Sequence, residues 1–277
     1  MAKIKKIGIT GGKGFIGSAL KEHFLKKKIK LIDYNCNLSN FDEALEAFQK
    51  QGASDLIIHL AGRFSQDINI ALKDNLTSTL NLLDLISMFG TKNIIFASTG
   101  AIYGNSGIKP IDENHIEQPN TEYGLIKHWC EQAILFHARE KGTKSTILRL
   151  PSVYGKNNNK GIIYEWLKAT KDRNEIFING NGSQHRSFIN AEDIAEGIER
   201  IINKDVDGIY NFSHPNNYSL NDLALIFKTK FNCKICYKKK DSNNNLESMV
   251  LESAKLYEAI NWQPSKDINS YIESIST

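Results

Sequence analysis

The sequence predicts an α/β fold, a doubly wound parallel sheet with helices on both faces, and three observations predict it. Short apolar runs alternate with amphipathic helical stretches through the first half of the chain. A glycine-rich turn, "TGGKGFIG", stands directly between the first strand-like run and the first helical one. Polar and reactive residues gather where the apolar runs end, which is where open parallel sheets collect their ligands.

The elements follow in order. "KKIGIT" reads as a short apolar strand, the glycine turn follows, and residues 18–27 read as a helix. "IKLID" is a second strand. "NFDEALEAFQKQ" is amphipathic, with Asn40 placed to cap it. "DLIIHLAG" has the unbroken apolar character of a buried strand, and "DNLTSTLNLLDLISMFG" has helical spacing ending in glycine. "KNIIFAST" is a strand, residues 121–141 a helix with Asn120 as the expected cap, and "KSTILRL" a strand. Beyond Gly155 the pattern loosens into the polar loops "GKNNNKG" and "GNGSQHRSF". A further strand–helix pattern runs from Phe188 to Ile202, with a strand at Ile209 to Phe212. Residues 1–155 with about 187–212 are therefore assigned to a dinucleotide-binding unit of Rossmann type. Residues from about 156 to 186 with 213–277 are assigned to a smaller C-terminal α/β substrate lobe.

The 277 residues carry 41% hydrophobic and 24% charged residues and a net charge of +4, the balance of a globular chain. The lysine runs at 26–28 and 238–240 are short and scattered, which argues against nucleic acid as a partner. No apolar run has the length of a membrane span, and "MAKIKKIGIT" lacks the apolar stretch of a signal peptide. The expected location is cytoplasmic. Of the four cysteines, Cys36 and Cys130 stand alone, and Cys233 with Cys236 forms a lone CxxC without two further ligands at zinc spacing. No metal is expected, and the thiols are read as reduced.

Gly11, Gly14 and Gly17 in "TGGKGFIG" have the spacing and the strand–helix context of a dinucleotide site. Glycines let the backbone approach a pyrophosphate, and the helix start, with Phe15 and Ile16, offers free N–H groups. Asp33 ends the second strand, where a carboxylate accepts from a ribose diol and repels a 2′-phosphate. It favours NAD, with NADP as the alternative. "CNLSN" follows at once, so a further strand usual in such folds is missing or compressed.

With these residues in place, the chain resembles the extended short-chain dehydrogenases/reductases, and within them the NAD-dependent epimerase/dehydratase family acting on nucleotide sugars. The glycine spacing, "DLIIHLAG", "NLTSTLNLL", "IIFASTGAIYG", "EYGLIK", "LRLPSVYG" and "RSFINAEDIA" occur in that family's order. The likeness runs from about Ile7 to "AINWQPS". It implies a catalytic set of Thr99, Tyr123 and Lys127, with Ser98 beside the first. Tyr123 would take the proton of a sugar hydroxyl as phenolate. An unperturbed tyrosine titrates near 10, and the Lys127 ammonium and a cationic nicotinamide would lower that value. Tyr123 and Lys127 share one helix face. By the same likeness Leu60, Ala61, Gly62, Pro151 and Val153 contact the cofactor. Asn75 joins them or serves as a helix N-cap. Arg186 pairs with a diphosphate through its donor fork. Ser152 stands where the family usually has a diphosphate-holding asparagine. Arg63 faces the sugar or solvent.

Dehydratases of the family carry an acidic pair after the threonine, whereas Thr99 is followed here by Gly100 and Ala101. The implied activity is a nucleotide-sugar 4-epimerase, whose partner is a nucleotide-diphosphate sugar. A 4-ketoreductase using the same three residues is the alternative. A non-catalytic dinucleotide sensor or scaffold is the third reading, opposed by the intact tyrosine and lysine. Substrate choice is assigned to the loops at 157–160 and 181–186. By the same resemblance, helices 75–89 and 121–141 are the ones that would pair two copies into a homodimer.

Overall fold

The computed structural model describes residues 4–65, 67–105, 107, 109–239 and 248–276. Residues 1–3 of the opening run and Lys240 of the second lysine run lie outside them. In chain order the first half holds β1 (Ile7–Thr10), α1 (Phe15–Lys26), β2 (Leu31–Asp33), α2 (Phe41–Gln51), β3 (Leu56–His59) and α3 (Ile68–Ala71). A π-helical turn at Leu72–Thr77 leads into α4 (Ser78–Phe89) and β4 (Asn93–Thr99). A 3-10 turn at Gly100–Tyr103, α5 (Glu122–Lys141) and β5 (Lys144–Leu150) follow. The second half holds β6 (Ser152–Tyr154), α6 (Gly161–Arg173), β7 (Glu175–Asn179), β8 (His185–Asn190), α7 (Ala191–Lys204), β9 (Gly208–Asn211), β10 (Asn217–Ser219), α8 (Leu220–Phe231), β11 (Lys234–Lys238), α9 (Ala254–Ile260) and α10 (Ile268–Ser274).

Six strands form one parallel sheet in the order β2-β1-β3-β4-β5-β9. Successive residues of its strands point to opposite faces. Ile58 and Leu148 enter the core beneath α1 and α7, with Leu20, Phe24, Ile194 and Ile198. Their neighbours Ile57 and Ile147 enter the opposite core with Phe48, Leu82, Ile86 and Ile126 from α2, α4 and α5. The chain steps to one side of β1 to make β2 and to the other to make β3. The crevice at this reversal opens beyond the carboxyl ends of Thr10 and His59, where such sheets bind ligands. After Asp33 the chain makes no further strand before α2, as the short "CNLSN" connection predicts.

Local chemistry sets the ends. Asn40 accepts from the N–H groups of Asp42 and Glu43 and starts α2, as expected. Gly90, with φ of 75°, closes α4. The start of α5 differs from expectation: Thr121, one residue past Asn120, is the cap, its hydroxyl accepting from the N–H of Gly124. Asn120 is occupied elsewhere, donating to Asn105. Helix α1 begins at Phe15, earlier than expected, because Gly17 is already within it and buried.

A third core lies apart from the main sheet. Tyr154, Ile163, Trp166, Ile178, Phe188, Leu223, Phe227 and Ile272 pack together from β6, α6, β7, β8, α8 and α10. Strand β8 runs parallel to β6 and antiparallel to β10 in a separate small sheet, and β7 pairs with β11. Helix α9 returns to the first core through Leu256 and Ile260. All four cysteines are free.

Candidate active site

Two adjoining cavities open over the carboxyl ends of the sheet. The inner one, of about 270 Å³, is lined by Gly11, Gly14, Phe15, Ile16 and Gly17 on one side. Thr99, Tyr123 and Lys127 line the other, with Leu60, Gly62, Asn75, Pro151 and Val153 between. The outer one, of about 700 Å³, shares Gly14, Phe15, Gly62, Tyr123 and Val153 with it and extends to Ser152, Phe188 and residues 157–163. Tyr123 stands at their junction. The structure thus brings together most of the residues that the sequence proposed. Ala61 packs behind the glycine loop, where its N–H lies 3.4 Å from Thr10 Oγ1. Arg63 is directed outward, 3.9 Å from Asp74. None of residues 181–186 lines either cavity, Arg186 included.

Helix α5 places Tyr123 and Lys127 one turn apart. It comes close to the 3-10 turn because Gly124 follows the tyrosine: a Cβ there would sit 2.6 Å from the Ala101 carbonyl oxygen. Lys127 is buried, donates to the Ala97 carbonyl at 2.6 Å and lies 4.0 Å above the Phe96 ring. Burial lowers its pKa to about 8, against the opposing pull of Cys130 and Glu131. Tyr123 departs from expectation. Burial, with a smaller contribution from Cys130, pushes its pKa up to about 12. In the protein alone, desolvation of the phenolate dominates.

Thr99 and Ser98 are separated by their bonds. Thr99 Oγ1 accepts from the Ala101 N–H at 3.2 Å, which leaves its own hydrogen free to donate into the cavity. The Ser98 hydroxyl is committed to the Glu131 carboxylate. Asn75 is no N-cap; Asp67 caps the preceding helical turn. Buried in the π-helical turn, its amide donates to the carbonyls of Ala71 and Arg63 at 2.8 Å each and accepts from the Arg63 N–H. It clamps the loop after β3. That loop carries Phe64, whose ring meets the Tyr123 ring edge-on at 5.3 Å. Sequence reading missed Phe64, because contact between a loop and a distant helix start leaves no spacing signal.

Behind Tyr123 lies a buried ion network that the sequence reading also missed. Arg149 of β5 is fully buried and pairs with Glu131 at 2.7 Å, with Glu117, and with the Tyr103 hydroxyl. Burial alone would lower the pKa of Arg149; Glu131 and Tyr103 more than reverse this and raise it. An arginine within the apolar strand "TILRL" and an acid one turn after Lys127 were the available signal.

The decisive comparison is with a family model. Residues 7–213 match the model of the NAD dependent epimerase/dehydratase family. The chain belongs to this family. A UDP-glucose 4-epimerase of Corynebacterium glutamicum is 26% identical over 257 residues, covering 79% of this chain and 78% of that one. A dTDP-D-glucose 4,6-dehydratase of Dictyostelium discoideum is 26% identical over 265 residues, covering 80% of this chain and 61% of its own. Among solved structures, a Thermotoga maritima UDP-glucose 4-epimerase with UDP-glucose superposes with a TM-score of 0.88 at 24% identity, covering 97% and 96% of the two chains. This family member is an NAD-dependent enzyme of the extended short-chain dehydrogenase/reductase type.

The residues of the inner cleft fit that cofactor. The first turn of α1 has no acidic residue and no side-chain cap, so its N–H groups are available to a pyrophosphate. Asp33 Oδ1 is buried and accepts no hydrogen bond among the described residues, as a carboxylate awaiting a ribose hydroxyl would be. No described helix is long and apolar enough to cross a membrane.

Proposed function

We propose that the enzyme is a nucleotide-sugar 4-epimerase working through a transient 4-keto sugar. One observation carries the reading. Among the described residues, the lining of the two cavities includes no carboxylate, imidazole or thiol. Elimination of water or inversion beside a keto group needs such an acid or base. Inversion at a carbinol carbon needs only hydride removal and return with one proton held nearby. Bound NAD supplies the hydride acceptor and, when oxidised, a positive ring charge that favours the Tyr123 phenolate. Tyr123 takes the hydroxyl proton and later gives it back. The free hydrogen of Thr99 donates to the reacting oxygen and aligns it. Lys127, fixed by Ala97, adds positive charge beside the phenolate.

Arg186 is the proposed diphosphate partner. It lies on β8 two residues before Phe188, a residue of the outer cavity's lining, and shares a strand face with it. Burial lowers its pKa, and among the described residues no carboxylate pairs with it. Ser152 and residues 157–160 line the same cavity and would contact the nucleotide sugar. A homodimer through α4 and α5 is supported by exposed Leu80, Met88, Trp129 and Phe136 on those helices, which Ser87 and His137 join at 2.7 Å. A 4-ketoreductase would use the same groups. The unpaired Asp33 Oδ1 speaks for NAD, which an epimerase regenerates without releasing it.

The test is to purify the protein without added cofactor, denature it, and identify released nucleotide by mass. Oxidised NAD in stoichiometric amount, with interconversion of C4-epimeric nucleotide sugars and no net oxidation, is the expected result. An empty protein that consumes one reduced dinucleotide per sugar would establish the reductase instead.

A further inference from the structure

We propose that Lys21 sets how strongly the cleft discriminates between NAD and its 2′-phosphorylated form. The inference rests on the NAD reading of the cleft and adds a residue to it. Lys21 lies on α1 with Nζ 2.7 Å from Asp33 Oδ2. The other oxygen, Oδ1, is buried and without a partner among the described residues. Both oxygens face the glycine loop: a Cβ at Gly12 would lie 2.7 Å from Oδ1 and 2.8 Å from Oδ2. The carboxylate is therefore divided. Oδ2 is held by the ammonium, and Oδ1 is left to accept from a ribose hydroxyl.

The pair has a second consequence. Asp33 alone would present a full negative charge where a 2′-phosphate would stand. Lys21 offsets that charge at hydrogen-bond distance, so the repulsion is weaker than the carboxylate by itself implies. The side chains are 43% and 26% exposed, and such a pair adds little to stability. Its effect falls on the ligand. If Asp33 is removed, Lys21 becomes a free cation at the ribose edge, the arrangement that accommodates a 2′-phosphate.

The experiment is fluorescence titration of the nucleotide-stripped full chain with NADH and NADPH. Lys21→Met should weaken NADPH about tenfold and leave NADH within about twofold. Asp33→Ser should strengthen NADPH about tenfold. That gain should vanish in Asp33→Ser/Lys21→Met and persist in Asp33→Ser/Lys21→Arg. A gain that survives Lys21→Met, or a Lys21→Met variant that weakens both dinucleotides equally, would overturn the assignment. Wild-type protein that binds neither dinucleotide would sink the NAD reading itself, and this inference with it.

Discussion

Ser98 and Thr99 are consecutive residues at the end of one strand and both line the inner cavity, yet their hydroxyls are committed differently. Thr99 and Tyr123 keep hydrogen-bonding capacity in reserve in the cavity, and so does Asp33 beside the glycine loop. Ser98 spends its hydroxyl elsewhere: Ser98, Glu131, Arg149, Tyr103 and Asn211 bond one another in a closed network. Helix α5 carries both, with Tyr123 and Lys127 on one part of its surface and Glu131 one turn further. A reactive group must be available to a substrate, and availability costs stability in a buried place. The network behind it fixes α5 against β4 and β5, so the reactive groups are held without being used up.

This contrast can be broken from either side. The largest effect is expected at the front. Tyr123→Phe should lower kcat about 10²- to 10⁴-fold with little change in KM or in the melting temperature. Steady-state kinetics beside a thermal melt would measure both. Next comes the back. Arg149→Met leaves Glu131 charged and buried without its partner and should destabilise the fold by about 3–5 kcal/mol in urea titration. Arg149→Met/Glu131→Gln should recover most of that loss; a double variant no more stable than the single one would mean that shape, and not charge, holds the site. The smallest and sharpest test compares the neighbours. Thr99→Val should reduce kcat about a hundredfold and leave stability nearly unchanged. Ser98→Ala should cost about 1.5 kcal/mol of stability and leave kcat nearly unchanged. Equal effects on both readouts would dissolve the distinction.

What the sequence revealed follows the same division. The glycine loop and the helix caps at Asn40 and Gly90 depend on local spacing, and local spacing is legible; the trio of Thr99, Tyr123 and Lys127 was implied only by the family resemblance of several motifs in order. The shortened connection after Asp33 was visible because a strand needs residues and none were there. The closed network was not legible, since Arg149 and Glu131 meet only when a strand and a helix pack. The π-helical turn around Asn75 was hidden for a similar reason. It is held by Thr79 donating to the Asn75 carbonyl, and by buried His59 bridging Thr79 and Thr10. The separate sheet of β6, β8 and β10 could not be read because alternation identifies a strand without naming its partner. The raised pKa of Tyr123 needed the burial that only the fold supplies.

The three-residue β2 has a consequence beyond the cleft. It is an edge of the main sheet, and the opposite edge, β9, has only four residues. Exposed lysines at 26–28 and 30 precede β2. So brief and charged a border gives another chain little backbone to pair with, and strand-by-strand aggregation finds no template there. Both borders of the sheet are thus short, and the β2 border is also flanked by charge, which disfavours growth of the sheet by edge pairing.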